Sequence, residues 1–120
     1  MAEILVVGTH GMEDMTRASL TFLTAKAAKE NKDDPIIFLA GDAVTWAQKG
    51  IAESELLQGP GLAPLAEVFE ICQILKIPML ICKPCAEVRG IKEADLVEGA
   101  KMAGVYDLAK LVAARHTISF

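Results

Sequence analysis

The stretch Ile77-Pro78-Met79-Leu80-Ile81-Cys82 decides the fold, because a short apolar run ends there against a polar segment. Two earlier runs have the same form, Ile4 to Val7 before Gly8 and Pro35 to Ala40 before Gly41. A run without polar alternation is typical of a strand that is covered on both faces, as in a parallel sheet. The three runs therefore predict three central strands of a parallel sheet.

Helical patterns separate the apolar runs. We predict helices from about Asp14 or Thr16 to Lys29, from Val44 to Gln48 with Asp42 as the cap, from Leu62 to Leu75, from Lys92 to Met102, and from Tyr106 to Ala114. His116 to Phe120 is predicted as an edge strand, and Gly50 to Gly61 as a connection. Strands that alternate with helices predict an α/β fold, a three-layer α/β/α sandwich with a mainly parallel sheet of about five strands.

Length and composition indicate one domain that spans residues 1–120. A chain of 120 residues supports one hydrophobic core rather than two. Hydrophobic residues make up 52% of the sequence and the mean hydropathy is +0.36, which is high for a free monomer of this size. We therefore expect part of the apolar surface to face another subunit in a homo-oligomer.

The charge pattern and the first residues argue against a nucleic-acid-binding, a membrane or a secreted protein. The net charge is −4 and the basic residues are scattered, so we expect no nucleic-acid partner. No apolar run approaches the roughly 20 residues that span a bilayer, so we expect no membrane segment. The first residues lack a secretory pattern, which predicts a cytoplasmic protein whose three cysteines are reduced thiols.

Three strand ends carry the candidate functional residues. They are Gly8-Thr9-His10-Gly11, Gly41-Asp42 and Cys82-Lys83-Pro84-Cys85. In parallel sheets, ligands and chemistry collect outside the carboxyl ends of the strands, so these segments are predicted to share one rim of the sheet. The first segment lacks the glycine spacing and lysine of a phosphate-binding loop, and no cofactor is expected.

Cys82 and Cys85 are the candidate reactive residues. A thiol beside Lys83, with Arg89 a turn away, lies in a positive field that favours the thiolate, although a strand-end cysteine is more commonly a simple buried residue. The spacing of the two cysteines is that of dithiol redox sites and of half a zinc site. His10 is a supporting candidate that could orient or deprotonate a thiol, and a plain loop histidine is the alternative.

Zinc and thioredoxin-like sites fit the sequence less well. A closed zinc site needs four ligands, and the chain has no second close pair, so no metal is expected within one subunit. A metal site that is shared between two subunits is a further alternative. A thioredoxin-like site begins a long helix, whereas Arg89-Gly90 interrupts any helix that begins at Cys85, which leaves a reversible Cys82–Cys85 disulfide as the redox alternative.

The segment from Cys82 to Ile91, CKPCAEVRGI, resembles the signature region of the DsrE/DsrF-like family, which includes TusD-type sulfur-relay subunits and YchN-like proteins. The specific part is the Arg89-Gly90 pair with a cysteine eight positions before the glycine. The rest of the chain matches the family more loosely over nearly its whole length. The resemblance implies one DsrE/DsrF-like domain.

The resemblance also implies a function. In sulfur-relay members, the cysteine that corresponds to Cys82 accepts sulfane sulfur as a persulfide, and YchN-like members also have the cysteine that corresponds to Cys85. We expect an intracellular, sulfurtransferase-like sulfur carrier in which Lys83 and Arg89 lower the pKa of Cys82, with His10 as a further supporting residue. Expected partners are sulfur donor and acceptor proteins and further copies of the chain, as a trimer or hexamer. The alternatives are a non-catalytic oligomeric binding module and a Cys82/Cys85 dithiol redox site.

Overall fold

One parallel sheet forms the centre of the protein, whose computed structural model describes residues 1–54 and 58–120. The order of its strands is β4-β3-β2-β1-β5, and every neighbouring pair is parallel. The three predicted central strands and the terminal edge strand are confirmed. The strands are β1 (Glu3–Gly8), β2 (Asp34–Leu39), β3 (Met79–Cys82), β4 (Ala100–Ala103) and β5 (His116–Ser119).

Helices occupy most of the connections between the strands. The predicted helices before β2, before β3 and before β5 are confirmed as α1, α3 and α5. Part of the predicted connection Gly50–Gly61, residues 55–57, lies outside the described residues. Over the described ranges, no helix has the length and apolar character that a membrane crossing needs. The helices are α1 (Met15–Glu30), α2 (Ile51–Ser54), α3 (Leu65–Ile74), α4 (Lys83–Val88) and α5 (Val105–Ala114), with 3₁₀ helices at Gly41–Ala47 and Glu93–Asp95.

The helices lie on both faces of the sheet. On one face α1 packs against α3, where the rings of Phe22 and Phe69 meet edge to face with centroids 5.2 Å apart. The chain then crosses from β4 at one edge of the sheet to β5 at the other edge through α5. Because this crossover runs in the opposite direction along the sheet, a right-handed connection places α5 on the other face. The predicted α/β/α sandwich is confirmed.

The register of the strands brings the candidate segments to one rim. Gly8 of β1 pairs with Leu39 of β2, and Cys82 of β3 pairs with Ala103 of β4. All these residues lie at the carboxyl ends of their strands. The rim that the sequence predicts is therefore present in the fold.

The predicted helix Lys92–Met102 is wrong. The structure has a 3₁₀ helix at Glu93–Asp95 and then strand β4, whose residues pair with Met79–Cys82 of β3. Gly99 has φ +89°, a conformation that interrupts a helix and that glycine adopts without strain. The backbone groups on the second edge of β3 also require partners, and β4 supplies them.

The predicted cap at Asp42 is also wrong. Ala40 occupies the N-cap position of the 3₁₀ helix, no side chain caps it, and Asp42 lies in the first turn. The carboxylate of Asp42 accepts hydrogen bonds from Arg89 instead. Hydrogen bonds from a charged guanidinium to a carboxylate are about twice as strong as neutral ones, which explains this choice of partner.

Gly8 allows α1 to pack directly on the end of β1. A methyl group at Gly8 would lie 2.6 Å from Cγ2 and 2.7 Å from Oγ1 of Thr21, a buried residue of α1. Gly8→Ala should lower the free energy of unfolding by about 1–3 kcal/mol, the usual cost of overpacking. Thr21→Ala in the same chain should recover part of the loss, as measured by urea denaturation.

Gly104→Ala is the matched control. The nearest atom to its added methyl group would be Oδ2 of Asp107 at 3.7 Å, and φ of Gly104 is −101°. Because Gly104 is the N-cap of α5, where alanine is less favourable than glycine, this variant should cost less than about 1 kcal/mol, and Thr21→Ala should not recover that loss. Equal destabilisation by both variants would contradict the close packing at Gly8.

Candidate functional site

Cys82 lies at the junction of a strand and a helix. It is the last residue of β3, and α4 begins at the next residue, Lys83. Pro84 fits the first turn of α4, where a backbone N–H has no helical partner and its loss costs little. One turn further, Cys85 lies on the same short helix. The local sequence therefore fixes both thiols at the carboxyl end of a central strand.

Arg89 and Gly90 end the helix, as the sequence predicts. Val88 is the last residue of α4, Arg89 is the C-cap, and Gly90 has φ +72°. Glycine adopts this left-handed conformation at the end of a helix without the strain that a Cβ would cause. The six-residue length of α4 distinguishes the site from a thiol motif at the start of a long helix.

The two thiols differ in exposure. Cys82 is buried, with 6% of its surface exposed, whereas Cys85 is half-buried, and both are free thiols. The third cysteine, Cys72, is fully buried in the core, where its thiol donates a hydrogen bond to the carbonyl oxygen of Phe22 at 3.4 Å. Cys85 is thus the more accessible thiol of the pair.

The pKa of Cys82 is raised above its ordinary value. Burial is the largest cause, and hydrogen bonding to the Cys85 thiol acts in the same direction. The Cys85 backbone N–H and the charge of Arg89 act in the opposite direction and are outweighed. The net direction is opposite to the depressed pKa that the sequence predicts, because the sequence does not reveal how deeply the strand end is covered.

Arg89 connects α4, the helix that bears Cys85 (the cysteine helix), to the segment after β2. Its Nη1 donates to the carbonyl oxygen of Cys85 at 3.0 Å. Its Nε and Nη2 both donate to Oδ1 of Asp42, at 3.2 and 2.6 Å. Asp42 is a site residue that the sequence analysis assigned to a helix cap, and its position at the end of β2 is the signal that could have identified it.

Lys83 points away from the thiols towards solvent. Its Nζ lies 4.0 Å from Oε1 of Glu87 on the same helix, and 64% of its side chain is exposed. An exposed ion pair of this kind stabilises a helix only slightly and is screened by salt. Among the described residues, Arg89 and not Lys83 is thus the cation that binds Asp42.

His10 lies in a loop that is fixed to the same rim. The His10 carbonyl oxygen accepts a hydrogen bond from Nε1 of the fully buried Trp46 at 3.0 Å, and the His10 ring Nδ1 lies 3.2 Å from Oε1 of Glu13. Next to it, Gly11 approaches Asp42 so closely that an added Cβ would lie 3.0 Å from the Asp42 carbonyl oxygen. The loop therefore contacts the residue that holds Arg89. Glu13 and Trp46 were not among the residues predicted from the sequence.

The rim carries two thiols, Cys82 and Cys85, whereas a closed zinc site needs four ligands. Among residues 1–54 and 58–120, no three or more His, Cys, Asp or Glu side chains are grouped so that they could hold a metal ion. What the described site offers chemically is a thiol pair, a guanidinium and a carboxylate.

The fold and the site define a class: α/β/α proteins that carry a cysteine pair at the carboxyl end of a central parallel strand. The chain belongs to the DsrE/DsrF-like family, whose sequence pattern matches residues 2–120. This family is related to sulfur relay.

Curated relatives include proteins without an assigned function. An uncharacterized Methanocaldococcus jannaschii protein, MJ0760, is 30% identical over 102 residues, which are 85% of this chain and 36% of that protein. A second uncharacterized protein of the same organism, MJ0989, is 38% identical over 63% of this chain and 61% of its own length. The chain thus spans less than two thirds of these two relatives. The YchN protein of Escherichia coli K12 is 29% identical over 92% of this chain and 91% of its own length.

Solved structures share the fold. The crystal structure of YchN from E. coli superimposes with a TM-score of 0.81 and 25% sequence identity, with full coverage of both chains. A protein of unknown function from Methanobacterium thermoautotrophicum, MTH1491, has a TM-score of 0.68 with 10% identity, so this likeness concerns the fold alone.

Cys72 should make stability fall at alkaline pH. Burial raises its pKa from 9.0 to about 12, so the thiol stays neutral in the folded chain and ionises near 9 when unfolded. Its stabilising effect is complete below pH 9 and is lost as the pH rises towards 12. From pH 9 to pH 10 the wild type should lose about 1 kcal/mol more than Cys72→Ala in urea denaturation. Parallel pH curves for the two proteins would contradict this.

Proposed function

We propose that this protein is a cytoplasmic, sulfurtransferase-like sulfur carrier that holds sulfane sulfur as a persulfide on Cys82. The observation that carries the proposal is the position of Cys82 at the carboxyl end of a central strand, immediately before a helix that bears a second cysteine. Membership of a family related to sulfur relay supports the same conclusion.

Sulfur loading is a thiolate displacement at sulfur. The Cys82 thiolate attacks the terminal sulfur of a donor persulfide, a new S–S bond forms, the S–S bond of the donor breaks, and the donor leaves as a thiolate. In the second half, an acceptor thiolate attacks the terminal sulfur on Cys82 and regenerates the Cys82 thiolate. The net reaction moves one sulfur atom and requires no external oxidant or reductant.

The environment of Cys82 suits a carrier. Because only 6% of the residue is exposed, a persulfide there would be shielded from free thiols in solution. Arg89 favours the thiolate that the reaction needs, although burial outweighs it in the resting chain. A thiol with a raised pKa forms less thiolate at neutral pH, but each thiolate is a stronger nucleophile.

Cys85 would control the lifetime of the bound sulfur. Its thiolate can attack the inner sulfur of the Cys82 persulfide, which forms a Cys82–Cys85 disulfide and releases hydrosulfide. An external thiol reductant must then restore the two thiols. The position of Cys85 in the first turn of α4, directly after the strand that ends in Cys82, and its greater exposure support this resolving role.

The proposed partners are a sulfur donor protein, an acceptor protein and further copies of the chain, as a trimer or hexamer. Exposed apolar residues on α5 and β5 support self-association. Val105, Tyr106 and Val112 of α5 and Ile118 of β5 are 44% to 88% exposed, and apolar surface of this kind is typical of protein interfaces.

Mass spectrometry of the intact protein tests the carrier function. After incubation with polysulfide and removal of the excess, the wild type should gain sulfur that a thiol reductant removes. Cys82→Ser should gain much less, limited to what Cys85 takes up, and Cys72→Ala, which removes a core thiol, should gain as much as the wild type. Cys85→Ser should retain the sulfur longer. Undiminished loading of Cys82→Ser would exclude Cys82 as the carrier.

A dithiol redox site is the second candidate, favoured by two free thiols three positions apart at the junction of β3 and α4. This function predicts a reversible disulfide that forms with a disulfide reagent in the absence of any sulfane sulfur. Titration of the free thiols against thiol–disulfide buffers would detect it, and Cys85→Ser would abolish it while sulfur loading on Cys82 persists.

A non-catalytic binding module is the third candidate, favoured by a groove that reaches the strand-end residue next to Cys82. A groove of about 410 Å³ lies between β3, β4 and α5, and Ala103, the partner of Cys82 in the sheet, lines it. If Cys82 alkylates no faster than a free thiol and loads no sulfur, this candidate is favoured over the carrier.

A further inference from the structure

The Arg89 guanidinium is engaged on all three of its nitrogens. Nη1 donates to the Cys85 carbonyl oxygen at 3.0 Å, and Nε and Nη2 donate to one carboxylate oxygen of Asp42 at 3.2 and 2.6 Å. One acceptor, Cys85, lies on the cysteine helix. The other, Asp42, lies just after β2, the strand next to β3. Arg89 therefore bridges the ends of two neighbouring strands beside Cys82.

Asp42 itself is held from two sides. Thr45 Oγ1 donates to the Asp42 carbonyl oxygen at 2.8 Å within the 3₁₀ helix. On the other side, the backbone of Gly11 packs closely against Asp42, since an added Cβ would lie 3.0 Å from that oxygen and 3.2 Å from Asp42 Cβ. The backbone that carries the carboxylate is thus fixed relative to the rim.

Other charged groups of the rim are paired within their own segments. On the loop after β1, His10 lies 3.2 Å from Glu13. On α4, Lys83 lies 4.0 Å from Glu87. At the β4 end of the rim, Asp107 of α5 accepts a hydrogen bond from the Gly104 N–H. In the described chain, the Arg89–Asp42 ion pair is the one that joins the cysteine helix to another segment of the rim.

We propose that Asp42 is a positioning residue for Cys82: its carboxylate fixes the Arg89 guanidinium over the ends of β2 and β3 and offsets the positive charge that would otherwise favour the Cys82 thiolate. Asp42 thereby acts through Arg89 and does not touch the sulfur. The effect concerns ionisation of the thiol and does not depend on whether Cys82 carries sulfur.

Charge and hydrogen bonding can be separated by substitution. Asp42→Asn keeps an oxygen that can accept a hydrogen bond from Arg89, but it removes the negative charge. The guanidinium therefore stays near Cys82 and its positive charge is no longer offset. Asp42→Glu keeps the charge. Arg89→Gln removes the positive charge and leaves the carboxylate. The two charge-removing variants should therefore shift the ionisation of Cys82 in opposite directions.

The test is the pH profile of Cys82 alkylation by iodoacetamide, in which the thiolate forms an S–C bond and iodide leaves. The label on the Cys82 peptide is quantified by mass spectrometry in the full chain. Asp42→Asn should move the midpoint about one pH unit towards acid, since neighbouring charges shift a pKa by about this much. The rate at neutral pH should rise about three- to fourfold, because the larger thiolate fraction is partly offset by the weaker nucleophilicity of a thiolate with a lower pKa. Arg89→Gln should move the midpoint towards alkali.

Two controls accompany this test. Glu30→Gln removes the charge of a surface ion pair with Lys26 on α1, with Nζ and Oε1 3.0 Å apart, and should leave the profile unchanged. Asp42→Glu should restore the wild-type midpoint. Thermal unfolding of each variant verifies that the chain is folded.

An unchanged or alkaline-shifted midpoint in folded Asp42→Asn overturns the proposal. If Asp42→Asn does not fold, an unchanged midpoint in Arg89→Gln overturns it instead. Sulfur loading of wild-type Cys82 is measured separately, so failure of the Asp42 proposal with normal loading leaves the carrier function standing. Loss of the carrier function with the predicted shifts leaves the Asp42 proposal standing.

Discussion

The pairing of β3 with strands on both of its edges is the constraint on which the site depends. Its backbone groups are satisfied by β2 on one side and β4 on the other, and its residues must be apolar where helices cover both faces. The strand therefore has no freedom to slide, because a shift by one residue would exchange the residues on the two faces. This fixed register places Cys82 at the rim, and α4 begins at the next residue.

Assembly of the rim follows from parallel topology. The loop after β1, the 3₁₀ helix after β2 and the helix after β3 all leave the sheet at the same edge. Gly11 brings the first against the second, and Arg89 joins the second to the third. Three segments that are far apart in sequence thus surround one strand-end thiol, an arrangement that open α/β sheets provide at their carboxyl edge.

Burial and charge oppose each other at Cys82. Burial raises the pKa of the thiol, and the positive charge of Arg89 lowers it by less. A carrier benefits from both, because burial protects the bound sulfur while a nearby cation allows the thiolate to form. Because Asp42 binds Arg89, a change that weakens the Arg89–Asp42 ion pair is expected to alter the ionisation of the Cys82 thiol.

The sequence predicts those parts of the fold that local patterns encode. The apolar runs at β1, β2 and β3 and the periodicity of α1, α3 and α5 are local signals, and they were sufficient to predict these six elements. Strand β4 was missed because Ala100-Lys101-Met102-Ala103 has no β-branched residue, and only its pairing with β3 makes it a strand. The Arg89–Asp42 pair joins residues 47 positions apart, so no local pattern reveals it. The direction of the Cys82 pKa shift depends on burial by distant residues and was predicted with the wrong sign.

The most direct test of the central claim is the sulfur content of Cys82 in the protein as it exists in the cell. The chain is isolated from the cells that produce it, alkylated at once and digested. The masses of the peptides that contain each cysteine are then measured by mass spectrometry. The account predicts one additional, reductant-sensitive sulfur atom on Cys82 and none on Cys72. Additional sulfur on Cys85 alone, or on no cysteine, would contradict it.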